Sequence, residues 1–467
     1  MSSSEIGRRG FIQSAAWMSA ALMAGECLGG RLKVTGPSGA PMQGFALKPM
    51  KKVRVACIGV GSRGTSALRR LSQVPGTVVT AVADLFQDRI DKELDWLKKN
   101  GKPAPVLTLA GPEGYKRICE SDAVDVVYNV TPWHMHAPIA LYAMEHGKVA
   151  LNEVPGALTI DECWQLVETS ERTRIPCMML ENCCYGETEM ALYDMVDKGQ
   201  FGELVHMQGA YAHDLRDEIT HGLINRHYRF RNFQHRNGEL YPTHALGPLA
   251  KMLRINRGNR FLTLVSMASK SRGLNTYIKD KFGEDHEYAK INWCEGDIVT
   301  TLIKCANGET ITLQHDDSLP RAYSRELRVQ GDRGIYEEDG DRYIIDGKSE
   351  IKGWDYEWFK FSEDLPQNDH PLWKWFKEKG VEGGHGGMDY LVQRAFYESI
   401  MKGVEPPIDV YDTAAWMCIT CLSEQSVSMG SMPVPIPDFT NGLWMQREEE
   451  PKTKYSLNKV HYDLFED

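Results

Sequence analysis

Val53-Arg54-Val55-Ala56-Cys57-Ile58-Gly59-Val60-Gly61-Ser62-Arg63-Gly64 decides how the chain folds. Its first six residues are an apolar, β-branched run, which predicts a buried strand. The next six are Gly-x-Gly-x-x-Gly, and a helical pattern follows through Leu71. A second apolar run, Val78–Ala83, ends on Asp84, twenty residues past Gly64. In this strand–loop–helix–strand setting each residue has a job. Gly59 permits the tight turn, Gly61 lets a pyrophosphate approach the backbone, and Gly64 lets helix and strand pack closely. The N-terminus of the helix that follows presents unpaired amides and a positive dipole end to phosphate. The Asp84 carboxylate can accept from ribose hydroxyls and repels a 2′-phosphate, so the expected cofactor is NAD rather than NADP.

Outward from this unit, strands continue to alternate with helices. Val124–Val130, Val149–Glu153 and Pro176–Asn182 read as further buried strands, and the stretches between them as helices. That alternation predicts a doubly wound parallel sheet over residues 51–183. Ligands bind at the carboxyl ends of such strands. Those ends carry Asp84, Thr131–His136, Glu153 and Asn182. The pattern then changes. Residues 204–213, 259–270, 297–306, 310–317 and 326–330 read as longer strands, with Asn307-Gly308 as a hairpin turn. A second domain over residues 184–445 is therefore expected to hold an open antiparallel sheet with helices, its late helices packing back, before a tail at 446–467.

The composition narrows the function. The chain has 467 residues, 42% hydrophobic, with net charge −10, which argues against broad nucleic-acid binding. No apolar run of membrane-spanning length follows the first thirty residues. Those residues hold Arg8-Arg9-Gly10-Phe11 and then a small-residue apolar segment. They resemble a twin-arginine export signal (1–30) ahead of a linker (31–50), which implies a periplasmic protein. Glu26 before Cys27 argues against a lipid anchor there. Of eleven cysteines, most are expected to be small buried residues. His134 and His136 lack the further ligands a metal needs, so no metal is expected.

Gly59–Gly64, Asp84, Thr131-Pro132-x-His134-x-His136 and Glu153-x-Pro155 together resemble the Gfo/Idh/MocA oxidoreductases, which join a Rossmann domain to an open antiparallel sheet. That family usually has a catalytic lysine where this chain has Val154. Four further strings are similar to one branch, glycoside hydrolase family 109, the NAD-dependent α-N-acetylgalactosaminidases. They are Glu153-Val154-Pro155, Glu181–Gly186, Asn237–His244 and His385–Asp389.

The resemblance implies cofactor contacts at Ser62, Arg63, Asp84, Trp133, His134, Met135, His136, Glu153, Val154 and Asn182. It implies substrate contacts at Tyr211, Arg229, Tyr241, Pro242, Thr243, His244 and Tyr323. It also implies a glycosidase that departs from the two-carboxylate rule. Transient oxidation at carbon 3 by NAD makes the carbon-2 proton acidic. The carbon-1 substituent is eliminated, water adds, and re-reduction restores the sugar. With no lysine at 154, His244 and Tyr241 are the candidate proton-transfer groups, and Tyr185 and His385 are further candidates. The expected partner is an N-acetylgalactosamine-terminated glycan, and the expected assembly a homodimer. The rival readings are a net sugar dehydrogenase or epimerase of the wider family and a non-catalytic sugar-binding protein with structural NAD.

Overall fold

In the computed structural model, which describes residues 41–221, 228–379 and 384–466, the first sheet has six strands. They are β1 (Val53–Ile58), β2 (Thr77–Asp84), β3 (Leu107–Ala110), β4 (Val126–Asn129), β5 (Val149–Asn152) and β6 (Cys177–Met179). The expected export signal and Cys27 lie outside the described residues. The strand order is β3-β2-β1-β4-β5-β6, and every neighbouring pair is parallel. Helices cover both faces, so β4 and β5 are buried at every position. This is why they read as continuous apolar runs rather than alternating ones. The chain changes direction between β1 and β4, and that switch point opens the crevice where such sheets bind ligands. The four-residue edge strand β3 has no counterpart in the sequence reading. It follows Pro103 and Pro105, and its burial alternates between half-buried and exposed.

The second sheet contains β7 (Leu204–Ala212), β8 (Phe261–Ala268), β9 (Val299–Cys305), β10 (Thr310–Asp316), β11 (Arg328–Gly331), β12 (Gly334–Glu337) and β13 (Arg342–Ile345). A small hairpin of β14 (Ile351–Lys352) and β15 (Asp355–Tyr356) stands apart, and β16 (Phe359–Lys360) and β17 (Val434–Pro435) form the edges of the main sheet. The order is β16-β13-β12-β11-β7-β10-β9-β8-β17. The expected antiparallel sheet is mixed at one place, because β7 and β10 run parallel. The cause is topological. Helices Arg216–Thr220, Arg229–His235 and Thr243–Met252 intervene between β7 and β8. The meander β8-β9-β10 then delivers β10 beside β7 in the same direction.

Two small residues set the helix Thr243–Met252 in place. A Cβ at Gly209 of β7 would lie 2.6 Å from that of Ala245, and one at Gly247 would lie 2.9 Å from Glu181 Cγ. Hydrogen in place of a side chain lets the helix approach both β7 and the end of β6. The late helix Val410–Ser428 is capped by Asp409 in a reciprocal box with Asp412. It packs against helix Ile160–Thr173, β6 and β8. Residues after 445 are not a loose tail. Lys251 is buried between Asp412 (2.7 Å) and Glu450 (2.6 Å), so the C-terminal segment is tied into the body. Among the described residues no helix is long and apolar enough to cross a membrane. Every cysteine described is a free thiol, most of them buried.

Candidate active site

A cavity of about 980 Å³ opens at the carboxyl ends of β1, β2, β4, β5 and β6, facing the β7 side of the second sheet. The glycine-rich loop forms one end. A Cβ at Gly59 would lie 2.6 Å from the Val130 carbonyl oxygen, and one at Gly64 would lie 1.9 Å from the Gly59 oxygen. Neither position can carry a side chain, and the bare loop leaves its backbone open to a pyrophosphate. Asp84 is held by the amides of Val60 (2.8 Å) and Phe86 (3.0 Å). Each carboxylate oxygen keeps lone-pair capacity for a ribose hydroxyl. Arg89 stands 3.7 Å from Asp84. Cradle, acid and cavity together fit a dinucleotide. Ser62, Arg63, His134, Met135, His136, Glu153, Val154 and Asn182 line the same space.

Several of these side chains hold the walls. His136 Nε2 lies 2.7 Å from the Thr131 carbonyl, and Nδ1 contacts the Pro155 carbonyl. Burial pulls its pKa down despite both bonds. The ring therefore pins the loop after β4. Trp133 is buried behind the cavity, its ring centroid 5.7 Å from that of Tyr241. Glu153 accepts from the Tyr128 hydroxyl (2.5 Å) and pairs with Arg63 (3.1 Å).

The other end of the cavity holds the polar aromatic group. His244 stands in the first turn of helix Thr243–Met252. Its Nδ1 is 2.8 Å from Glu181 Oε1 and 3.0 Å from Oε2. With Nδ1 donating to a carboxylate, Nε2 is the nitrogen left to accept a proton. Burial works against the Glu181 carboxylate. The imidazole, the Thr243 hydroxyl and the Cys183 amide outweigh it and hold the group below its ordinary value. Tyr241 packs edge-on to His244, with centroids 4.9 Å apart, and burial pushes its hydroxyl well above the usual phenol range. It is therefore a neutral donor. Arg229 donates from Nε to Glu218 (2.8 Å) and lies over the Tyr241 and Tyr211 rings. Tyr323 is nearly half exposed at the rim, where Arg325 donates to its hydroxyl at 3.1 Å.

The structure separates some residues that the sequence grouped. Tyr185 does not reach the cavity. It is fully buried, and its hydroxyl donates to the Tyr455 carbonyl at 2.8 Å, which makes it a packing residue. Pro242 and Thr243 are buried and do not line the cavity. Pro242 precedes the His244 helix and Thr243 supports Glu181. His385 joins the glycine-rich loop instead of the His244 group: its Nδ1 lies 2.8 Å from the Asp389 carboxylate, with Arg63 Nη1 3.4 Å away. The structure adds Glu181, Asp389, Arg325 and Glu218 to the residues that the sequence places at the site. Glu181 and Asp389 both stand inside the strings that carry the resemblance, which was the available signal. Ligand atoms of Glu181, Cys183 and His244 lie within 4.8 Å of one another. Because the carboxylate and imidazole are already bonded to each other, we read the set as an acid–histidine pair beside a thiol.

Residues 185–446 match the family model for the glycosyl hydrolase 109 C-terminal domain, and residues 53–180 match the oxidoreductase-family NAD-binding Rossmann fold. The chain belongs to glycoside hydrolase family 109. A relative from Tannerella forsythia named alpha-N-acetylgalactosaminidase is 40% identical over 85% of this chain and 88% of its own. One of the same name from Shewanella oneidensis is 39% identical over 94% and 97%. A family 109 protein from Parabacteroides distasonis is 38% identical over 95% and 98%. Among solved structures, levoglucosan dehydrogenase in complex with NADH and levoglucosan superposes with TM-score 0.61 at 17% identity, covering 83% of this chain and all of that one. Myo-inositol 2-dehydrogenase from Lactobacillus plantarum gives 0.57 at 17%, with the same coverage. These last two speak to the fold alone. The family 109 chain is thus a glycoside hydrolase built on an NAD-binding domain, with Val154 at the cavity wall.

Proposed function

We propose that this enzyme hydrolyses terminal α-linked N-acetylgalactosamine with NAD held throughout the cycle. The names of the Tannerella and Shewanella relatives support the substrate. One observation carries the chemistry: His244, backed by the buried Glu181, and Tyr241 line the same cavity as the dinucleotide cradle. When bound, NAD supplies a reversible oxidation of the carbon-3 hydroxyl, which acidifies the proton on carbon 2. His244 Nε2 takes that proton, and Glu181 steadies the imidazolium that results. The Tyr241 hydroxyl donates to the oxygen on which charge develops. Arg229 and the rings of Tyr211 and Tyr323 hold the sugar, the guanidinium donating and the rings stacking. Val154 offers no amine, so the proton work rests on His244 and Tyr241.

The test is aryl α-N-acetylgalactosaminide turnover in heavy water without added NAD. Aryl release with deuterium at carbon 2 is expected. NADH accumulating in step with product, only when NAD is supplied, would overturn the proposal in favour of a net dehydrogenase. No turnover by NAD-loaded protein would point to a sugar-binding protein. Export belongs to the same proposal. A twin-arginine route carries folded proteins, so the cofactor crosses already bound, and fractionation of the native host should find the mature chain in the periplasm. Val265, Met267 and Leu302 on the open face of the second sheet are half-buried or exposed, and we extend the proposal to a homodimer through that face. A monomer by light scattering would refute it.

A further inference from the structure

Asp389 gathers more charge than any step assigned above uses. Its side chain has no exposed surface. Arg63 reaches it through both terminal nitrogens, at 2.8 and 3.0 Å. Arg70 Nη2 is 3.1 Å away, His385 Nδ1 2.8 Å, and Asn182 Nδ2 2.8 Å. Burial alone would raise this carboxyl, but His385 and the two guanidinium groups drive it far below the usual range. The four partners come from three places. Arg63 and Arg70 belong to the helix after the glycine-rich loop, Asn182 to the end of β6, and His385 to the segment just before the Asp389 helix.

That segment, Gly384–Gly387, is a strap. His385, Gly386 and Gly387 all take positive φ, at 49°, 69° and 121°. A Cβ at Gly387 would lie 2.6 Å from the Phe376 ring, and one at Gly384 would lie 2.5 Å from both Arg70 and Asp389. The strap is therefore closely seated. Its His385, and Met388 just after it, line the same cavity as Gly61 and Ser62. Helix Met388–Lys402 behind it rests on helix Ser62–Leu71, β1 and the turn Asn182–Tyr185. A dinucleotide lying on the glycine-rich loop would have the strap as a wall, anchored through Asp389.

We propose that Asp389 is a positioning residue that retains the dinucleotide: it locks the strap and Asn182 to Arg63, and release of the cofactor requires that lock to open. This rests on the NAD reading above. Bidentate charge-assisted bonds in a buried site are the strong kind, so losing the charge should show as a rate. The experiment uses the full purified chain. Bound NAD is measured after heat extraction, and exchange of bound NAD for radiolabelled NAD is followed in wild type, Asp389→Asn and Arg70→Met. Arg70 touches Asp389 and does not line the cavity, so its variant loosens the lock without altering a cofactor-facing group. Melting in saturating NAD verifies that each variant is folded.

The expected result is slow exchange in wild type, with exchange faster by about tenfold or more in each variant. If Asp389→Asn does not fold, Arg70→Met decides alone, and Arg70→Lys should restore slow exchange. Folded variants that exchange as slowly as wild type would overturn the retention role while leaving the NAD reading intact. A wild-type protein that carries no NAD and takes none up would overturn both.

Discussion

His244 Nδ1 donates to Glu181, 2.8 Å from one oxygen and 3.0 Å from the other, and the carboxylate has no exposed surface. The pair arises because Gly247 lets the His244 helix come within contact of the chain just past β6. Glu181→Gln keeps the shape and removes the charge that steadies a protonated imidazole. It should lower kcat on an aryl α-N-acetylgalactosaminide by about a hundredfold or more, with KM changed far less. His244→Ala should lose still more. An equal rise in KM with kcat preserved would mean that Glu181 only shapes the binding site.

The same pair has an acid signature. The Glu181 carboxyl is depressed in the fold, burial opposing and His244, Thr243 and Cys183 prevailing. A depressed carboxyl contributes stability that is complete above its unfolded value, about 4.3, and is lost as pH falls through the folded value. Asp389 has the same sign. Wild type should therefore melt above Glu181→Gln at pH 7, and the gap should close below about pH 4. A gap that is constant with pH would refute the assignment.

Tyr185 supplies the contrasting case. Its hydroxyl serves the Tyr455 carbonyl, away from the cavity, so Tyr185→Phe should leave kcat and KM unchanged. It should cost about 1–3 kcal/mol of stability, because it leaves the buried Tyr455 carbonyl unpaired. Denaturant unfolding and steady-state kinetics measure the two separately.

What was legible in the sequence follows from where each signal is local. The parallel sheet declared itself because β4 and β5 are buried at every position and β1 at all but Arg54, with helices flanking them, and because the glycine-rich loop tolerates no Cβ at Gly59 or Gly64. The Asn307-Gly308 turn marked the hairpin of β9 and β10, whose burial alternates as in a one-sided sheet. The parallel contact of β7 with β10 was not legible, since pairing across a helical crossover leaves no local trace. Tyr185 and His244 look alike in sequence, each a polar ring in an unusual string. Only tertiary packing turns one into the core and sets the other against Glu181. Asp389 and Arg63 are 326 positions apart, and nothing short of the fold brings them together.

Cofactor choice is open to a direct test. Asp84 lines the cavity with Arg89 3.7 Å away. The carboxylate repels a 2′-phosphate, while the guanidinium would attract one once the acid is gone. Asp84→Ser should weaken NAD binding and strengthen NADP binding, moving the preference by about tenfold or more, as one charge contact warrants. Calorimetric titration of cofactor-stripped protein reads both. Unaltered discrimination would place the selection elsewhere.

Behind Tyr211 lies a buried acid cluster whose sign is opposite to that of Glu181. His315 stands 3.2 Å from Glu295 and 3.4 Å from Asp317. Burial pushes Glu239 and Glu295 up to about 7. A carboxyl raised in the fold is easier to bury protonated, so it weakens the fold as pH climbs from its unfolded value to its folded one. At pH 5 Glu239 is protonated and Glu239→Gln replaces one neutral group with another. At pH 8 it is ionised, and the amide removes a buried charge. Glu239→Gln should therefore raise the melting temperature more at pH 8 than at pH 5. A gain at pH 5 as large as at pH 8 would show that the acid is ionised throughout and that His315 alone neutralises the cluster.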